Sequence, residues 1–130
     1  MIVVLDSNEY LGFLSGNSPF AEGLFGDEKV SIFIHELIVK EVLRNLQESI
    51  KGEFYTLLFT NNIQVFHGIL HSSLLQKYRN LGLKKGDIVI AAFCEHVKAE
   101  YLITENRHFL KIKAEAFKVV DLKEFLTLKK

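Results

Sequence analysis

The apolar positions of this chain fall into short unbroken runs separated by amphipathic stretches. Ile2-Val3-Val4-Leu5 is apolar and mostly β-branched, with no polar break. Such a run is long enough for a strand and too short for a helix. Its lack of alternation predicts a strand buried on both faces, as in the middle of a parallel sheet. Runs at 30–34, 63–66, 101–104 and 117–120 predict four more strands. Tyr10, Leu11, Phe13 and Leu14 predict a short helix over 8–14. Ser15 to Pro19 is a loop by composition, with Ser18 as an N-cap and Pro19 opening a second short helix through Leu24. Gly26-Asp27 and Asn61-Asn62 read as turns. Val39, Leu43, Leu46 and Ile50 form one apolar stripe and predict a helix over 36–50. Gly52 ends or interrupts it, with Phe54 to Phe59 as its continuation, and Glu41 falls off the stripe on the solvated side. Leu74, Leu75, Tyr78 and Leu81 mark a further helix closed by Gly82.

The stretch 88–94 is ambiguous by pattern. Ile88-Val89-Ile90 favours a strand, whereas Ala91, Ala92 and Asp87 as N-cap favour a helix. A buried helix is the better choice, because a strand follows at 101–104. Asp121 then caps a last helix through Leu126. Strands alternating with helices imply a parallel sheet with right-handed crossovers. Ligands of such sheets collect at the carboxyl ends of the strands. Asp6 stands one residue past the first strand, where it either caps a helix or enters a site. Thr104 to Asn106 also follow a strand, and Glu41 and Asp87 lie near helix beginnings. These side chains are therefore expected on one edge of the sheet.

Composition narrows the class. The chain has 130 residues, 48% of them hydrophobic, which suits a single domain with a sizeable core. No apolar run approaches the length of a membrane span, and no basic segment precedes an apolar one as in a signal peptide. One cysteine, Cys94, cannot form an intrachain disulfide, and a cytoplasmic location is expected. Sixteen basic residues balance sixteen acidic ones, so no overall basic excess marks a nucleic-acid binder. Acids grouped in a site with bases on its rim would reconcile the balance with such a partner. Local basic clusters at Lys77–Lys85 and Arg107–Lys113 are compatible with that or with ordinary surface. There is no G-x-G-x-x-G after the first strand and no phosphate-binding G-x-x-x-x-G-K-[ST]. The pairs His67/His71 and Cys94/His96 lack the second cysteine pair of a zinc motif.

Four segments together are recognisable. Val4-Leu5-Asp6-Ser7-Asn8, the strand-to-helix stretch Ile32–Glu41, Gly86-Asp87-Ile88-Val89-Ile90-Ala91-Ala92, and Leu102-Ile103-Thr104-Glu105-Asn106-Arg107-His108-Phe109 appear in the order of the PIN-domain family. The chain resembles that family nearly end to end. The resemblance implies an α/β fold: a three-layer α/β/α sandwich on a mostly parallel five-stranded sheet. It implies a metal-dependent ribonuclease, with Asp6, Glu41 and Asp87 binding Mg²⁺ or Mn²⁺ and Asn106 at a fourth, often acidic, position. Ser7, Thr104 and Glu105 would support the site, Ser7 by orienting Asp6 or a metal-bound water. Lys85, Arg107 and His108 are candidate RNA contacts. Hard divalent ions prefer carboxylate oxygen and keep several waters, and a bound ion activates water and neutralises phosphate charge.

The implied partners are RNA, an antitoxin protein and a second copy of the chain, the apolar helices at 8–14 and 19–25 offering a groove or a dimer face. Two departures bear on the site. Asn106 brings a carbonyl oxygen but no charge, and His108 stands where the family often carries an acid. The alternative to a nuclease is a PIN-like module that binds RNA or a protein and no longer cuts.

Overall fold

The computed structural model describes residues 1–17, 23–60 and 62–129. Five strands form one all-parallel sheet: β1 (Ile2–Leu5), β2 (Ser31–His35), β3 (Ile63–Phe66), β4 (Tyr101–Ile103) and β5 (Lys118–Val120). Their order across the sheet is β3-β2-β1-β4-β5. The chain works outward from β1 to one edge and then crosses back to the other side of it. The direction reverses between β1 and β4, and that is where an open parallel sheet forms its crevice. Val3, Val4 and Leu5 are all buried, so the central strand is covered on both faces.

Among the described residues, seven helices surround the sheet in the α/β arrangement expected. They are α1 (Ser7–Leu14), α2 (Glu36–Asn45), α3 (Glu48–Leu58), α4 (Ser72–Asn80), α5 (Gly86–His96), α6 (Arg107–Lys111) and α7 (Leu122–Lys129). α1 packs on α2 and α3, while α4 packs on α5. Ile90 to Cys94 are buried without interruption, as in a helix enclosed nearly all round. Asp121 Oδ1 accepts from the Glu124 amide at 2.7 Å, capping α7 as expected. No helix among the described residues is long and apolar enough to cross a membrane.

Three local expectations change. The helix expected over 36–50 breaks at Leu46 and Gln47, both extended (ψ 145° and 146°). Asn45 turns its amide back to the Glu41 carbonyl at 2.8 Å, a local bond that competes with helix continuation. α3 then restarts at a new angle and carries Phe54 into the core, 5.9 Å from Tyr10 between ring centroids. Gly52 lies inside α3, so it neither ends nor interrupts a helix. Asp87 is not the N-cap of α5. Lys85 holds that place with φ +51°, and Asp87 sits in the first turn. The short helix expected from Ser18 through Leu24 and the turn at Asn61 fall largely on residues outside the described ones.

Candidate functional site

The register of β1 against β4 builds the site. Leu5 pairs with Ile103, so the next residues on each strand, Asp6 and Thr104, leave the sheet side by side. The Asp6 amide donates to the Ile103 carbonyl at 3.0 Å, which extends the ladder by one rung. Asp6 and Thr104 are both buried. Asp6 Oδ1 accepts from the Ser7 backbone amide at 2.8 Å, and Oδ2 accepts from the Thr104 hydroxyl at 2.7 Å. The Asp6 carboxylate therefore caps α1 and is also fixed in place from the neighbouring strand. The main chain of Ser7, rather than its hydroxyl, makes the contact to Asp6.

From Thr104 the bonding continues along the chain. The Asn106 amide donates to Thr104 Oγ1 at 3.0 Å, and Asn106 Oδ1 accepts from the His108 amide at 2.9 Å. Asn106 thereby caps α6, a helix too short to read from periodicity. His108 Nδ1 then lies 3.3 Å from Asp87 Oδ2 on the first turn of α5. One continuous path of contacts thus joins Asp6 to Asp87.

These groups share a cleft of about 860 Å³. Asp6, Ser7, Glu41, Asp87, Asn106 and His108 line it, with Lys84, Lys85 and Lys111 exposed at its rim and an apolar wall of Leu83, Ile90 and Ile112. Glu41 reaches the cleft because the fully buried positions of α2 are Ile38 and Val42. That face places Glu41 at the edge of the buried side, not on the solvated side that the stripe of Val39 and Leu43 implied. Among the described residues, no three His, Cys, Asp or Glu side chains are grouped closely enough to cage an ion. The three acids face one space without converging on a point.

Of the residues named from the sequence, Thr104 touches Asp6 without lining the cleft, and two more stand apart from it. Glu105 and Arg107 are exposed and do not line it. The histidines and cysteine outside the site are scattered. His67 faces Glu36, His71 accepts from the Ser73 amide to cap α4, His96 lies against the Phe66 ring, and Cys94 is fully buried.

Glu9 was missed by sequence reasoning. It is 9% exposed on the first turn of α1. Burial, with Glu105, Asp6 and Asp121 nearby, raises its pKa to about 7. Among the described residues no cation pairs with it. The available signal was its position, three residues after Asp6 and next to Tyr10, but the apolar count of the helix passed over it.

No family model matches the chain. No curated protein matches it either. Among solved structures, a chain in the crystal structure of VapBC2 from Rickettsia felis bound to a DNA fragment from their promoter superposes with a TM-score of 0.67. The fold is similar to that of a VapBC2 chain. The match covers 93% of this chain and 98% of the VapBC2 chain at 17% sequence identity. At that identity it speaks to the fold, a PIN-like parallel α/β sandwich, and the site rests on the residues themselves.

Proposed function

We propose that this chain is an endoribonuclease that hydrolyses RNA phosphodiester bonds with the help of Mg²⁺ or Mn²⁺, and that it is the toxin of a toxin–antitoxin pair. The observation that carries the reading is the presence of Asp6, Glu41, Asp87 and Asn106 on one cleft at the strand-order reversal. The donor chemistry fits. All four side chains offer oxygen, and ions such as Mg²⁺ take one or two carboxylates directly while retaining several waters. Carboxylates that face one open space without touching suit a hydrated ion better than a dehydrated cage. When bound, the ion lowers the pKa of a water and offsets charge on the phosphate.

The chain's own residues hold and orient. Asp6 is fixed by two donors, yet each of its oxygens keeps a further lone pair. Glu41 and Asp87 present negative charge to the same space from α2 and α5. Lys84, Lys85 and Lys111 supply cations at the rim for the RNA backbone, where contacts position a strand without reading its sequence. His108 is a further RNA contact in this reading, and exposed Arg107 extends the basic surface beyond the cleft. Thr104 acts from behind Asp6 through its hydroxyl, and exposed Glu105 makes no contact with Asp6 that would support the site. The likeness to a VapBC2 chain supports an antitoxin partner. A homodimer and a cytoplasmic location belong to the same reading.

A second reading, an RNA- or protein-binding module that no longer cuts, is favoured by one observation. Asn106 replaces a charge and serves as a helix cap, and the remaining acids do not converge. The purified chain incubated with unstructured RNA separates the two. The nuclease reading predicts cleavage with Mn²⁺ or Mg²⁺, none with chelator, and ends carrying a phosphate monoester in place of a 2′,3′-cyclic phosphate. RNA that is bound but left intact under all of these conditions would favour the binding module.

A further inference from the structure

We propose that the turn between α4 and α5 and the end of α6 form a nucleobase shelf beside the acids, where the cleft holds one base of the RNA by its flat face without reading which base it is. The inference rests on the reading of the cleft as an RNA site. The cleft is far larger than an ion requires. Six waters at about 30 Å³ each give a hydrated divalent ion roughly 200 Å³, against a cleft of about 860 Å³. The remaining space is that of a pocket for an organic ligand, which runs to about 300–1,000 Å³.

The lining divides by segment. The strand ends, α2 and the first turns of α1, α5 and α6 supply the polar side chains. The α4–α5 turn and the end of α6 supply Leu81, Leu83 and Ile112, with Lys84, Lys85 and Lys111 set among them. Gly82, at φ +106°, turns the chain between the two leucines. Leu83 is 4% exposed and belongs to the core, and Ile112 packs against that core. Leu81, the C-cap of α4, is 43% exposed. Of the large hydrophobic side chains exposed among the described residues, Leu81 is the one that lines the cleft. A phosphate alone would need only the lysines. Apolar side chains interleaved with cations match a nucleotide, which joins an anionic phosphate to a flat apolar face. Every base has such a face, and Leu81, Leu83 and Ile112 carry no side-chain donor or acceptor to tell one base from another. The shelf therefore grips without selecting, apart from the larger area that a purine buries.

Two labelled probes test the assignment by fluorescence anisotropy, in chelator to prevent cleavage and at low salt to favour binding. One is a short unstructured RNA; the other is the same ribose-phosphate chain with every base replaced by hydrogen. The parent should bind the RNA more tightly than the base-free chain. Leu81→Ser should bind the RNA about three- to tenfold more weakly, the scale of covering the open part of one leucine. Ile112→Thr should act in the same direction and provides a second variant of the shelf. Neither should change binding of the base-free chain, whereas Lys111→Ala should weaken both probes alike. If both shelf variants bind the RNA as the parent does, or lose equally on the two probes, the shelf is overturned and the RNA reading stands. Failure of the parent to bind the RNA would overturn both.

Discussion

The hydroxyl of Thr104 donates to Asp6 Oδ2 at 2.7 Å across 98 positions of sequence. The bond follows from the pairing of Leu5 with Ile103, which brings two strand ends level. It satisfies a buried carboxylate whose other oxygen takes the Ser7 amide. Thr104→Val keeps the shape and removes both the donor to Asp6 and the acceptor of the Asn106 amide. Loss of a hydrogen bond to a charged group costs about 1.5–3 kcal/mol. Urea denaturation should show a loss of that order in Thr104→Val and a much smaller one in Thr104→Ser. A Thr104→Val protein as stable as the parent would mean that the hydroxyl does not hold Asp6.

Glu9 gives the fold a pH dependence. Its pKa is raised from 4.5 to about 7 in the folded chain, chiefly by burial. The folded state therefore binds more protons than the unfolded state between those values. The associated stability is fully present below about pH 4.5 and is lost as pH rises through 7, by at most about 3 kcal/mol. His35 acts oppositely. Burial lowers its pKa, so its contribution is lost as pH falls below 6.5, the unfolded value. Glu9→Gln removes the first effect alone. Denaturation from pH 5 to 8 should show the parent losing ground to Glu9→Gln as pH rises. A constant difference between the two would contradict the assignment.

Asn106→Asp should be tolerated by the fold, because Asp caps helices as well as Asn does. The substitution adds a negative charge to the cleft beside Asp6 and His108. Calorimetry should show tighter Mn²⁺ binding and, in cleavage assays, a lower metal concentration for half-maximal activity. Equal or weaker binding would place Asn106 outside any ion's reach.

Lys85 combines backbone strain with a rim charge. Its φ of +51° and ψ of −128° fall in a region that favours glycine. Lys85→Gly should be more stable than Lys85→Ala by about 1 kcal/mol, measured by thermal or urea unfolding. Both variants should weaken RNA binding alike, since both lose the cation. If only the alanine variant lost RNA binding, the backbone rather than the charge would be at work.

The order of strands and helices was legible because β1 is apolar throughout and the later runs alternate with amphipathic stretches. The buried helix α5 was decided by the strand that follows it, not by its own pattern. The break at Leu46 escaped the reading because the stripe runs through it unbroken, while the turn depends on Asn45 bonding its own helix. α6 has five residues, too few for a period to show. Asp6, Asp87 and Asn106 could be named from their neighbours in sequence. The Thr104–Asp6 bond and the His108–Asp87 contact could not be read, because both depend on tertiary register. Nothing in the pattern around Glu9 sets it apart, and only packing shows that it is buried with other acids nearby.

The central claim is that the cleft holds a divalent cation against Asp6. Thermal melts of the parent and of Asp6→Asn, each compared with its own chelated form, test it most directly. With free Mn²⁺ at about a hundred times its dissociation constant, the parent should gain about 2.7 kcal/mol. For a domain of this size that is a rise in Tm of about 10 °C, and Asp6→Asn should show almost none. A parent melt that no divalent ion moves at millimolar concentration, or an equal shift in Asp6→Asn, would contradict the account.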